Sequence, residues 1–285
     1  MNTYSLSSGG TADPIGSAPS TLQDVTNFMI RRAGQLVDEL VKQRGREEPP
    51  FSAEELAPLQ GIKRIEKLDL GEFDAVLFRT ADGYIIKVNA IHSPERQNFS
   101  CAHEIAHTFL HELESRGSTQ SAEFRTVEAD MSSRAKERLC QIAAAELLMP
   151  EQVFREYLLS FGISADSIER LAHVFKVSPE AAAIRISKVS TEPCILLKWA
   201  RFQKAKSKGF VTKDKSKHVN EGKHVYVRDP SALLKAYESH ISVKSFRSFE
   251  IGNVRKRCLM DSKGFGRDKM RYVLSLVFPE RQRKA

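Results

Sequence analysis

Residues 101–111 read C-A-H-E-I-A-H-T-F-L-H, and within them His103, Glu104 and His107 form the pattern H-E-x-x-H. In an α-helix a four-residue spacing stacks two side chains on one face, about 6 Å apart. Two neutral imidazoles so placed can grip one ion. Zinc takes histidine nitrogen at about 2.0–2.1 Å and, in a catalytic site, keeps one coordination position for water. Glu104 follows the first histidine directly, so its carboxylate projects beside the ion and is placed to take a proton from water.

A tetrahedral catalytic zinc needs a third protein ligand. The next strong helical stretch, Ser133 to Met149, offers Glu137 and Glu146, and Ala143, Ala144 and Ala145 at its centre allow a second helix to approach closely. Pro150 stops it. His111 stands one turn beyond His107, too far along the axis to share the same ion without strain, and is expected to pack or to support the ligands.

The elements that must position these groups can be read from periodicity. Ile105, Ala106, Phe109, Leu110 and Leu113 give the histidine segment an apolar stripe, with no glycine or proline until Gly117. Upstream, Val25, Phe28, Met29, Leu36, Val37 and Leu40 recur at helical spacing over Leu22–Gln43, and Gly45, Pro49 and Pro50 close that helix. A shorter helix starts at Ser52, carries Glu54 and Glu55 in its first turn and ends near Gly61. Phe73–Thr80 and Tyr84–Asn89 are β-branched or aromatic runs joined by Ala81, Asp82 and Gly83, the signature of a hairpin. Beside a peptidase site such a hairpin either aligns an extended substrate on its edge or merely supports the helix.

The 285 residues carry a net charge of +8 and are 41% hydrophobic, enough for a sizeable core. From Thr191 onward there are 23 lysines and arginines against nine acidic residues, so the back of the chain is strongly basic and the front mildly acidic. Lys204, Lys206, Lys208, Lys213, Lys215 and Lys217 read as a lysine-rich loop, and Arg255, Lys256 and Arg257 as a second cluster; both could meet nucleic acid or simply face solvent. No apolar run is long enough for a membrane span and Met1–Ser20 lacks a signal pattern, so the expected location is the cytoplasm. Cys101, Cys140, Cys194 and Cys258 form no C-x-x-C pair and are expected as reduced thiols, the first two as small buried hydrophobes.

Two segments together resemble a known family. R-Q-N-F-S-C-A-H-E-I-A-H-T-F-L-H, followed by E-R-L-C-Q-I-A-A-A-E-L-L-M-P, is similar to the ImmA/IrrE zinc metallopeptidases, which carry R-x-R-F-x-x-A-H-E-L-G-H and E-x-x-A-N-x-F-A-A-x-L-L-M-P. Aligned on Leu147, Leu148, Met149 and Pro150, the resemblance puts the family's glutamate ligand on Glu137 and covers about Phe73 to Ser187. Ala106 replaces a glycine, Cys140 an alanine, Gln141 an asparagine and Ala143 a phenylalanine, and none of these removes a ligand or the base. Glu146, nine residues after Glu137, then points away from the metal and is expected in solvent.

The resemblance implies a zinc endopeptidase, with manganese as the alternative ion, whose metal is held by His103, His107 and Glu137 and whose base is Glu104. It also implies a narrow protein substrate, a helix-turn-helix repressor whose cleavage releases mobile-element or stress genes. The residues name no oxyanion partner; Tyr157, His173 and His92 are the candidates. Ser167–Phe175 and Pro179–Ser187 have the cadence of a helix-turn-helix, but Glu180, Ala181, Ala182 and Ala183 cannot read base edges, so a structural helix pair is expected.

The expected fold is therefore α+β: a loose tail over residues 1–21, a mainly helical zincin-like core with a small β-hairpin over 22–150, a helix-turn-helix-like segment over 151–190, and a basic α+β domain over 191–285. In the last, Cys194–Trp199, His224–Arg228, Phe246–Ile251, Lys256–Met260 and Tyr272–Phe278 read as strands, with a helix near Ser231–His240. The competing function class is a DNA-associated sensor whose metal is structural, a role for which zinc needs four protein ligands.

Overall fold

The computed structural model describes residues 21–117, 131–204, 207–212, 231–251, 254–267 and 271–279. The expected N-terminal tail, the acidic residues Glu123, Glu128 and Asp130, and the expected strand at His224–Arg228 lie outside them. The fold is α+β.

Helix α1 (Leu22–Arg44) begins at Thr21, whose side chain and Asp24 cap each other reciprocally, and ends at Gly45 in the left-handed conformation. Its buried face, Val25, Met29, Ala33, Leu36, Val37 and Leu40, is the stripe expected from periodicity with Ala33 added and Phe28 only half-buried at its side. The short helix α2 (Ala53–Leu56) is capped by Ser52, and one 3-10 turn, Pro58–Gln60, follows it and ends at Gly61.

A three-stranded sheet comes next, formed by β1 (Ile62–Leu68), β2 (Ala75–Thr80) and β3 (Gly83–Asn89) in the order β1-β3-β2. The expected hairpin is the antiparallel pair β2/β3, and Gly83, at φ +137°, makes its tight turn. Strand β1 pairs parallel with β3. It escaped the sequence reading because Lys63, Arg64, Glu66 and Lys67 hide its alternation: as an exposed edge strand it has little apolar surface to show.

Helix α3 (Pro94–Gly117) carries the histidines and packs against β2, β3 and helix α4 (Ser133–Leu148), which is capped by Ser132. Then α5 (Glu151–Phe161), α6 (Ala165–Phe175) and α7 (Pro179–Val189) follow; α6 and α7 pack on each other around Lys176, a left-handed residue at φ 52°.

The C-terminal part is a five-stranded antiparallel sheet, β4 (Ile195–Lys204), β5 (Ser207–Thr212), β6 (Val243–Ile251), β7 (Val254–Phe265) and β8 (Tyr272–Pro279), in the order β5-β4-β8-β7-β6. Helix α8 (Ser231–Ser239) covers one face and the α6/α7 pair the other. Strand β8 shows this division by its period of two: Leu274 and Leu276 enter the large core with the helices, whereas Val273 and Val277 enter a smaller one with Trp199, Leu233 and Met260.

Two expectations fail here. Residues 207–212 of the lysine-rich stretch are not loop but strand β5, paired with β4 from Trp199↔Thr212 to Lys204↔Ser207. Strand β7 runs past Met260 through polar Asp261 and Ser262, because both are buried with partners. Asp261 accepts from the Ala165 N–H at 3.0 Å and from Ser242 at 2.6 Å, and the Ser262 hydroxyl meets that of Ser275 at 2.7 Å. Lys263 adds ion pairs to Asp166 and Glu169 of α6 at 2.8 and 2.7 Å.

Candidate metal centre

The apolar stripe of α3 is fully used: Ile105, Ala106 and Phe109 are completely buried, and Leu110 and Leu113 nearly so. That burial turns His103 and His107 together toward α4. On α4, Cys140, Ala143 and Ala144 are small and completely buried, which lets the two helices close on one another. Away from the histidines a brace holds the far end of α3: Arg32 of α1 bonds Glu112 at 3.0 Å and Gln60 at 2.6 Å, Gln60 also bonds Glu112, and the Arg32 guanidinium lies over the Phe109 ring.

Three ligand atoms converge. His103 Nε2 lies 3.2 Å from His107 Nε2 and 3.0 Å from Glu137 Oε2, and His107 Nε2 lies 3.6 Å from Glu137 Oε1. Two atoms bound to one tetrahedral zinc at about 2.05 Å stand roughly 3.3 Å apart. The observed separations bracket that value, and among the described residues this is the group of histidine, cysteine and acidic side chains that could hold an ion. The donors fit: two imidazole nitrogens and a carboxylate are a zinc set, with manganese also served by the oxygen. The histidine side chains are 15% and 25% exposed and Glu137 is 55% exposed, so the group opens to solvent on the Glu137 side.

Glu104 is largely buried beside this group. Burial first, and then the Glu137 charge, push its carboxyl up to about 7, against a main-chain N–H from Leu77 of β2 that favours the ionised form. Burial and the His103 charge hold the His107 imidazole below its ordinary range, the neutral form that a metal requires. Burial, with Glu137 and Glu104 nearby, pushes the Cys140 thiol up to about 12, and burial with Glu104 does the same to Cys101. Both are protonated packing groups, as expected.

Glu146 does point away from the three ligand atoms, but it is not solvated: it is only 8% exposed, bonds Arg185 of α7 at 2.5 Å and accepts the Glu151 N–H at 2.9 Å. Its place beside Ala143 and Leu147 on an inward face, with an arginine in the next helix pair, was the available signal. His111 stacks on Tyr84 at 5.8 Å between ring centroids. Of the oxyanion candidates, Tyr157 packs between Phe161 and Phe175, His92 pairs with Asp74 at 3.2 Å, and His173 is exposed.

Residues 61–187 match the family described as the IrrE N-terminal-like domain, a span that holds both histidines, Glu104, Glu137 and the α5–α7 helices. Over residues 61–187 the chain carries a domain of the ImmA/IrrE family. The match starts at the end of the 3-10 turn and so takes in β1, ahead of the Phe73 from which the two motifs alone carry the resemblance. Two proteins named "Radiation response metalloprotease IrrE" are similar to part of the chain. That of Deinococcus radiodurans is 33% identical over 111 residues, covering 39% of this chain and 33% of that protein; that of Deinococcus deserti is 32% identical over 112 residues, covering 39% of each. The matched part thus spans little more than a third of these relatives. A solved chain described as a Mycobacterium tuberculosis transcriptional regulator shares the fold over 90% of this chain and 80% of its own, with a TM-score of 0.55 and 15% identity. That likeness is one of fold.

Proposed function

We propose that this chain is a zinc-dependent endopeptidase acting in the cytoplasm, with manganese as the alternative ion and a helix-turn-helix repressor as its substrate. The observation that carries the reading is the convergence of His103, His107 and Glu137 at separations of 3.0–3.6 Å with Glu104 buried alongside. When bound, the ion supplies a Lewis acid for the scissile carbonyl and makes water acidic enough to lose a proton near neutrality. Glu104, beside the three converging side chains, is placed to take a proton from the attacking water and pass it to the departing amine. His107, kept neutral by burial, stays available as a ligand.

A purely structural zinc is closed by four protein side chains, whereas among the described residues the group here has three and faces solvent through Glu137, which favours catalysis over the sensor reading. The repressor rests on the family resemblance and on the relatives' designation as response metalloproteases. In the same reading residues 22–150 are the catalytic unit, 151–190 its helical extension and 191–285 a basic α+β unit. The test is co-expression with helix-turn-helix repressors encoded beside the gene, with fragments sized by mass spectrometry. Cleavage by the wild-type chain that disappears in Glu104→Gln supports the proposal, and intact repressors in both cases refute it.

A further inference from the structure

Single exposed apolar side chains are ordinary, but a rigidly held group of them is not. Asn89, at the end of β3, is completely buried and spends its side-chain amide on main chain: it donates to the carbonyls of Gly71 and Phe73 at 3.1 and 2.8 Å and accepts the Ile91 N–H at 3.2 Å. The Ala90 N–H adds a bond to the Leu68 carbonyl at 2.8 Å. These bonds fix the loop before β2 against the turn before α3, yet Phe73 and Ile91 stay 67% and 69% exposed. A buried amide thus holds large apolar side chains in water, where they contribute nothing to folding. Charge stands beside them. Asp74, next to Phe73, accepts from the Arg96 guanidinium at 2.6 Å, and the Arg96 side chain is still 57% exposed. Among the described residues that is the guanidinium's one bond, so most of its N–H donors remain for a partner. Arg96 stands two helical turns before His103, on the same face of α3 within about 20° and about 10 Å away along the axis. Ile91 precedes Pro94, the first residue of α3, so the apolar pair lies beyond Arg96 as seen from the histidines.

We propose that Phe73, Ile91 and Arg96 form a docking surface for the protein substrate, taking an acidic side chain on Arg96 and an apolar one on the Phe73/Ile91 pair. That this partner is the substrate rests on the peptidase reading; the surface and the chemistry it selects do not. An extended chain advances about 3.3 Å per residue, so a peptide whose scissile bond lies at the three ligand side chains brings roughly its third residue from that bond to Arg96. The next one or two residues outward then reach the apolar pair. Asp74 holds the guanidinium in place ahead of binding, so less freedom is lost when the acid arrives. A basic segment meets the Arg96 charge and is rejected.

Binding of the full-length, zinc-loaded Glu104→Gln chain to an array of short random-sequence peptides tests the surface without any cleavage. Bound peptides are expected to carry an apolar residue one or two positions from Asp or Glu. In Arg96→Glu the acidic partner should give way to Lys or Arg, and Arg96→Gln, which does not repel Asp74, should lose the acidic preference without gaining a basic one. Phe73→Ser together with Ile91→Ser should weaken binding about tenfold with zinc content and Tm unchanged, because both side chains are exposed. Leu159→Ser, on α5 and 72% exposed, is the matched control and should change nothing. An array that binds nothing, peptides bound without the pattern, or a pattern indifferent to these substitutions overturns the proposal. Kinetics on fluorescein-labelled casein separate the surface from the chemistry: the double serine variant should raise KM about tenfold at unchanged kcat. An unchanged KM overturns the docking surface and leaves the peptidase reading. A wild-type chain that leaves casein intact while the array shows the expected pattern counts against the peptidase reading and leaves the surface.

Discussion

Replacing Glu104 with glutamine should stabilise the metal-free protein at alkaline pH even as it removes activity. The carboxyl is pushed from 4.5 up to about 7, first by burial and then by the Glu137 charge. Because the folded state holds the proton more tightly than the unfolded chain, this group's contribution is fully present below about pH 4.5 and lost as pH rises through 7. A shift of about two and a half pH units corresponds to roughly 3 kcal/mol at about pH 8, a penalty that the neutral amide of Glu104→Gln does not incur. For a protein of this size that is about 6–12 °C in Tm. The assay is calorimetry of wild type and Glu104→Gln after chelation, from about pH 4.5 to pH 8. The gap should open as pH rises and shrink to about a degree near pH 4.5. Equal melting temperatures at pH 8, or a gap of constant size at all pH values, would refute the placement of Glu104 in a dehydrated pocket beside Glu137.

Three further outcomes follow from the packing. Arg185→Met should destabilise the chain by about 3 kcal/mol in urea titration by stranding the buried Glu146, and Glu146→Gln added to it should restore most of the loss. The thiols of Cys101, Cys140 and Cys194, each pushed up to about 12 by burial, should resist a thiol reagent near pH 8 until the chain is unfolded, when all react. Gly83→Ala should destabilise the hairpin and lower Tm, since φ +137° suits only glycine and an added Cβ would overlap the Gly61 carbonyl.

What was legible in the sequence was whatever carried a strong period or a cap. The stripe from Val25 to Leu40, the helix start at Ser52, the stop at Pro150 and the Ala81–Gly83 turn each announced an element with bounds close to those found. The spacing of His103 and His107 announced two stacked rings, but the choice of Glu137 over Glu146 came from a family resemblance, since both sit on one helix with suitable chemistry. What stayed hidden was long-range. Strand β1 is masked by its charges and takes its shape from pairing with β3, while β5 depends on β4 and the lysines around it read as loop. Asp261 and Ser262 look like a strand end until Ala165, Ser242 and Ser275 come to meet them. Glu146 looks like a surface residue until Arg185 arrives from 39 positions away.

Metal content of the purified chain tests the central claim most directly. Inductively coupled plasma mass spectrometry of wild type is expected to find about one zinc or manganese per chain, retained in Glu104→Gln and lost in His103→Ala, His107→Ala and Glu137→Ala. Full occupancy in Glu137→Ala, or no metal in the wild-type chain after reconstitution, would contradict the assignment of these three side chains to one ion.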